Sequence, residues 1–263
     1  MSHRPRKRFG QNFLHDPNVI QNIINAIAPA AGDHIVEIGP GQAALTIPLL
    51  QATGSMDAIE IDRDLIPVVH EQCAGYGQLT LHNVDALKFD FAALKTDERP
   101  LRLVGNLPYN ISTPILFHLL ESRLVIKDMH FMLQKEVVDR MAAKPGNKTY
   151  GRLSVMLQAY CEVTQLFDIG PGAFKPAPKV DSSIVRLVPL ANEQMDTEDE
   201  ARFAQVVAAS FAQRRKTLRN NLKGLVNESD FAKAGVDPGL RAEMLSVADF
   251  RRLAAYSADS SAA

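Results

Sequence analysis

The 263-residue chain has no tryptophan and only two cysteines, Cys73 and Cys161. Two isolated thiols make neither a disulfide framework nor a metal-ligand spacing, which excludes a stapled secreted scaffold and fits a reducing compartment. The seven histidines are scattered as well, so no resident metal is expected. No apolar run approaches the ~18 residues that cross a bilayer, and no membrane association is expected. The basic opening "SHRPRKRFGQNF" is followed by no apolar stretch and no small-residue cleavage site, so a secretory leader is not expected and a cytoplasmic location is. Net charge is missing too: 29 basic and 30 acidic residues leave −1.

Local absences say more. From Ala201 to Lys223 there is no acid, against six cations: Arg202, Arg214, Arg215, Lys216, Arg219 and Lys223. Arg4, Arg6, Lys7 and Arg8 cluster at the start, whereas Glu193, Asp196, Glu198, Asp199 and Glu200 precede the cationic stretch. A neutral total can thus conceal basic surfaces of the kind that bind polyanions.

Short β-type runs alternate with helical patterns over the first two-thirds. Strands are expected at 34–39, 57–62, 78–83, 101–106 and 129–134. Helices are expected at 43–52, from Asp64 to about Cys73, at 113–122 and from Lys135. That alternation implies βαβ units, an α/β fold and a mostly parallel sheet. Residues 161–169 and 182–190 read as a late antiparallel pair. Beyond Leu190 the chain turns helical and Ala-rich, which suggests domains at 1–190 and 191–263.

"VEIGPGQAALT" places Gly39, Gly41 and Ala44 as G-x-G-x-x-A between a strand and a helix, a fingerprint for close backbone approach to a nucleotide-like ligand. Glu60 closes the next strand, where a carboxylate accepts hydrogen bonds from both ribose hydroxyls. Asp85 closes the third, placed to receive an adenine amine. Together with the end of the fourth strand, they favour S-adenosylmethionine over a nicotinamide or flavin cofactor.

That fourth strand ends in "VGNLPYNIST". An exocyclic amine on an aromatic base is a poor nucleophile, because its lone pair is delocalised. The Asn106 side-chain oxygen and the Leu107 carbonyl, stiffened by Pro108, are two acceptors that would draw the nitrogen toward tetrahedral geometry. The Tyr109 ring can stack on the base.

"NLPY" resembles the motif of amino-methyltransferases that act on adenine. "RKRFGQNFL", "VEIGPG", "GNLPYNIST", "MLQKEV", "YGRLSV", "APKVDS" and "QRRKTLRN" follow in the order found in the ribosomal RNA adenine dimethyltransferase family of the small-subunit type. The resemblance runs almost end to end. It implies a Rossmann-like seven-stranded class I methyltransferase fold with a small helical C-terminal domain. It also implies dimethylation of two adjacent adenosines near the 3′ end of 16S rRNA during 30S assembly, by a monomer. Carried over by position, cofactor contacts fall on Asn12, Leu14, Gly39, Glu60, Asp85 and Asn106. The same resemblance makes Phe174 a second aromatic that stacks on the flipped adenine opposite Tyr109; a core anchor is the other reading of that residue. Gln42 and Ala43 depart from the second loop glycine of many relatives.

Arg215, Arg219 and Lys223 fall at i, i+4 and i+8, so residues 213–224 are expected to form a helix with one cationic stripe. With Arg214 and Lys216 they are candidate RNA-phosphate contacts, against the alternative of a solvated face. "RPRKRFGQNF" is either a loose tail or a segment that orders over cofactor and RNA. Two other functions share these motifs: the macrolide-resistance type that modifies large-subunit rRNA, and an assembly factor for which catalysis is secondary.

Overall fold

The computed structural model describes residues 11–109, 111–190 and 197–257. The basic cluster Arg4–Arg8, the acids Glu193 and Asp196, and the tail after Ser257 lie outside the described residues.

The expected alternation is present. β1 (Phe13–Leu14) precedes α1 (Pro17–Ile27), then β2 (His34–Ile38), α2 (Thr46–Thr53), β3 (Ser55–Ile59), α3 (Ile66–Cys73) and β4 (Gln78–His82). β5 (Leu101–Asn106), α4 (Ser112–Glu121), β6 (Ile126–Gln134), α5 (Lys135–Ala142) and α6 (Arg152–Gln158) follow. Then come β7 (Cys161–Ile169), β8 (Phe174–Lys175) and β9 (Ser182–Pro189). The last part is helical: α7 (Thr197–Ser210), α8 (Leu218–Asn221), α9 (Glu228–Ala234) and α10 (Val247–Tyr256).

The seven-stranded sheet runs β4-β3-β2-β5-β6-β9-β7. Pairs from β4 through to β6 are parallel, and β9 is antiparallel to β6. β9 thus lies between β6 and β7. Because helices cover such a sheet, its strands read as unbroken apolar runs; Ile35, Val36, Leu103 and Val104 are fully buried. The winding reverses between β2 and β5, and ligands bind at such a switch point, beyond the carboxyl ends of the strands. Gly39 follows β2, and Asn106 ends β5.

Two close fits fix that junction. A Cβ on Gly105 would lie 2.5 Å from the Ile38 carbonyl oxygen, so only glycine lets β5 approach β2 here. At the opposite end of β5, buried Arg102 donates to both Asp128 oxygens at 2.9 Å and to Asp33 at 2.6 Å. It also takes the Ile27 carbonyl at 2.6 Å and so closes the carboxyl end of α1. A buried cation is tolerated because every partner is supplied.

By their contacts, the described residues up to Val138 and Glu162–Pro189 form one compact unit. Asp139–Cys161 and the described residues from Leu190 form the other. Residues 139–161, expected in the first domain, cluster instead with the C-terminal helices. Tyr160 meets Phe203 edge-on at 6.3 Å, and Leu190 N donates to the Tyr160 carbonyl at 2.9 Å. Phe203, Val207, Phe231, Phe250 and Leu253 make the buried centre of this unit. Among the described residues no helix is long and apolar enough to cross a membrane, and no group of three or more His, Cys, Asp or Glu could hold a metal ion.

Candidate active site

A cavity of about 270 Å³ opens at the switch point. Its wall includes Asn12, Leu14, Gly39, Gly41, Glu60, Asp85 and Asn106, the seven positions expected to meet a cofactor, and also Leu107, Pro108 and Tyr109.

After β2 the chain turns through Gly39 (φ 74°) and Gly41 (φ 58°), left-handed conformations that cost glycine little. Ala43 also adopts φ 61°, at a cost of roughly 1–2 kcal/mol for an L residue. For this reason α2 begins at Thr46 and not at the expected Ala43. Glu60 is 5% exposed. It accepts from Asp62 N at 2.8 Å and from Gly41 N at 3.4 Å, which ties the glycine turn to the acid. Burial raises its carboxyl pKa, against the opposing pull of those backbone donors. Asp85 uses Oδ1 to cap a short 3₁₀ turn through Leu87 N at 3.0 Å.

Sequence reasoning missed several residues of the wall. Glu37 lies beneath the turn, accepts from Thr46 Oγ1 at 2.6 Å, and is pushed up to about 7 by burial. Ile61 is 48% exposed beside Glu60, an unusual place for a large apolar side chain. Gln11 reaches Asp62 at 3.2 Å. Ile61 follows the acid directly, and its apolar character at a strand's end was the available signal; nothing near Gln11 announces Asp62. Among the described residues the wall contains three carboxyl groups and no lysine or arginine. Such a wall suits a cationic guest and opposes a pyrophosphate.

At the end of β5, Asn106 Nδ2 donates to the Asn12 carbonyl at 2.9 Å. That bond assigns the amide orientation: the nitrogen is spent on Asn12, and Oδ1 remains an acceptor. Pro108 O accepts from Ile111 N at 3.1 Å, and Ser112 Oγ donates to Tyr109 O at 3.1 Å, so the turn is held from within. The Tyr109 hydroxyl meets Ser182 Oγ at 2.9 Å, which fixes the ring, and burial raises its pKa.

Phe174 departs from expectation. Its ring is 3% exposed and packs in the core with Leu14, Ile23 and Ile169, and it is not part of the cavity wall. A ring so covered offers no face to a base. Its backbone instead forms β8, which pairs antiparallel with β1 and places Leu14 opposite Phe174. The segment carrying Asn12 is thereby fastened beside Asn106.

The cationic helix expected at 213–224 also differs. Thr217 is extended (ψ 164°), and only the four-residue α8 is helical. Asn221 Nδ2 turns back to the Ser210 carbonyl at 2.6 Å, and Arg219 N donates to Pro238 O at 3.0 Å. These tertiary partners replace helical ones, so the i, i+4, i+8 stripe does not exist. Arg214, Arg215, Lys216, Arg219 and Lys223 are nevertheless all exposed.

Over residues 2–259 the chain matches the family described as ribosomal RNA adenine dimethylase. It is 59% identical over 254 residues to the ribosomal RNA small subunit methyltransferase A of Aromatoleum aromaticum, covering 97% of this chain and 94% of that protein. A crystal structure of a dimethyladenosine transferase from Plasmodium falciparum resembles it with TM-score 0.77 and 28% identity, over 92% of this chain and 95% of the other. The 23S rRNA methyltransferase ErmE gives TM-score 0.73 and 25% identity, over 93% and 99%.

Proposed function

The chain belongs to the ribosomal RNA adenine dimethylase family, and from that premise we propose that it dimethylates N6 of two adjacent adenosines near the 3′ end of small-subunit (16S) rRNA, using S-adenosylmethionine. It acts as a cytoplasmic monomer on 30S particles still being assembled.

The residues of the cavity fit that cofactor. Glu60 would accept from the ribose hydroxyls, Asp85 from the adenine amine through the oxygen not used as a cap, and Ile61 and Leu87 would supply apolar walls. Asn12, Leu14, Gly39 and Gly41 would hold the remainder by backbone approach. Three carboxyl groups and, among the described residues, no cation make a wall that suits a positively charged sulfonium. When bound, S-adenosylmethionine supplies a methyl group already activated for displacement.

The chain's own task is to make adenine N6 nucleophilic. Asn106 Oδ1 and the Leu107 carbonyl accept its two N–H bonds, which concentrates the lone pair on nitrogen. Tyr109 stacks on the base and sets its plane, and Pro108 keeps the Leu107 carbonyl in place. Positioning, and not a general base of shifted pKa, carries the rate. The observation that bears this reading is the hydrogen bond from Asn106 Nδ2 to Asn12 O, because it leaves Oδ1 as an acceptor. Preference for the small subunit draws on the 59% identity to a small-subunit enzyme, against 25% to the 23S enzyme.

Incubation with radiolabelled S-adenosylmethionine and, separately, undermethylated small and large subunits tests the substrate. Label is expected in small-subunit RNA; label confined to the large subunit would overturn the assignment.

A further inference from the structure

Residues 140–161 carry Arg140, Lys144, Lys148 and Arg152 and no acid, the same imbalance as residues 201–223. Distant in sequence, the two stretches meet within the second unit. Arg214 Nη2 donates to the Lys148 carbonyl. The buried Tyr150 ring meets Phe211 edge-on at 6.3 Å, and Phe211 packs on Phe250 at 5.7 Å. Gly146 N donates to the Glu243 carbonyl at 2.8 Å. The loop before α6 is therefore clamped to the turn that carries Arg214, Arg215 and Lys216.

Few of these cations are neutralised. Arg202 pairs with Glu198 and Asp199, Arg214 with Glu243 at 3.6 Å, and Arg219 with Glu228 at 2.7 Å. Lys144, Lys148, Arg152, Arg215 and Lys216 are exposed, and among the described residues none has an ion-pair partner. Protein surfaces ordinarily intersperse the two signs, and a single-sign patch is self-repelling until a polyanion covers it.

We propose that Lys144, Lys148 and Arg152 join Arg215 and Lys216 in one composite surface for the phosphate backbone of the RNA substrate. The proposal rests on the reading of the chain as an rRNA enzyme, and it adds a second, sequence-distant segment to the expected contacts. Two clamped segments keep the backbone positions that carry these cations in fixed relation, along which a continuous, regularly charged backbone can lie.

The test replaces Lys144, Lys148 and Arg152 together by Gln and measures affinity for undermethylated small subunits from 50 to 300 mM salt. Each lost phosphate contact should make the slope of log affinity against log salt shallower by about 0.7–0.9. The triple variant is thus expected to lose about 2–3 from the slope, with an unchanged melting temperature and unchanged S-adenosylmethionine affinity by calorimetry. The corresponding Lys→Arg and Arg→Lys variant should retain the slope. If wild-type protein binds the subunits with its salt dependence and the Gln variant shows the same slope, the composite surface is refuted while the enzyme assignment stands. If wild-type protein does not bind the subunits at all, the assignment itself fails, and the surface with it.

Discussion

Replacing Asn106 by Ala separates two things that this side chain does. Its nitrogen holds the Asn12 carbonyl at 2.9 Å, and its oxygen is the proposed acceptor for the substrate amine. Loss of the ground-state bond costs about 1 kcal/mol, a neutral hydrogen bond between half-buried partners. Part of that falls on the 11–14 segment, so cofactor affinity should weaken by less than about fivefold. The acceptor acts differently, because its partner gains charge only as N6 becomes tetrahedral. A contact of that kind is worth about 3–4 kcal/mol of barrier, or roughly 10²–10³ in rate. Single-turnover methyl transfer at saturating cofactor isolates the second effect. The expected result is a 10²–10³-fold slower step with RNA affinity within about twofold of wild type. Transfer at nearly the wild-type rate would refute the amine-polarising role and leave the motif as a structural turn.

Other outcomes follow from the same geometry. Glu60→Ala should weaken S-adenosylmethionine binding by about 1.5–3 kcal/mol through loss of a charge-assisted contact, and an unmoved dissociation constant by calorimetry would remove Glu60 from the ribose site. Gly105→Ala must push β5 from β2, since its Cβ would sit 2.5 Å from Ile38 O, whereas Gly172→Ala meets nothing within 4 Å. Thermal melting should show a loss of about 1–3 kcal/mol for the first and little change for the second. Burial lowers His130 to about 4, with Asp128 opposing and Arg102 and Arg186 reinforcing the shift. The unfolded chain then takes up a proton near pH 6.5 that the folded chain refuses until about pH 4. Stability should therefore fall as pH drops through that window, by up to about 1.4 kcal/mol per unit from this group. In denaturant titrations His130→Phe should flatten that part of the profile; an identical profile would show that His130 does not titrate as described.

Much of the sheet is legible because buried parallel strands are short apolar runs, and 101–106 matches β5 to the residue. The placement of Gly39, Glu60 and Asn106 on one cavity wall is legible for a related reason: each follows or ends a strand, where open α/β sheets bind ligands. What is not legible depends on distant partners. Phe174 keeps two readings in the sequence because an aromatic beside prolines looks the same whether it packs inward or faces a base; its core neighbours come from residues 14 to 184. The 213–224 stripe has correct helical spacing, yet Asn221 and Pro238 draw the backbone elsewhere. Ala43 shows no strain as a letter, and Arg102 looks misplaced in an apolar strand until Asp33 and Asp128 arrive. Residues 139–161, the end of α5 and α6 around a loop, resemble their predecessors in pattern, and only contacts assign them to the second unit.

The proposed enzyme makes a specific product at a specific place. Undermethylated small subunits, treated with wild-type protein and S-adenosylmethionine, can be digested for nucleoside mass spectrometry and mapped by primer extension. The expected result is N6,N6-dimethyladenosine at two neighbouring positions near the 3′ end of the small-subunit rRNA, with the signal lost in the Asn106→Ala protein over the same interval. Methylation at a ring nitrogen, at a pyrimidine, or at scattered adenosines would overturn the assignment.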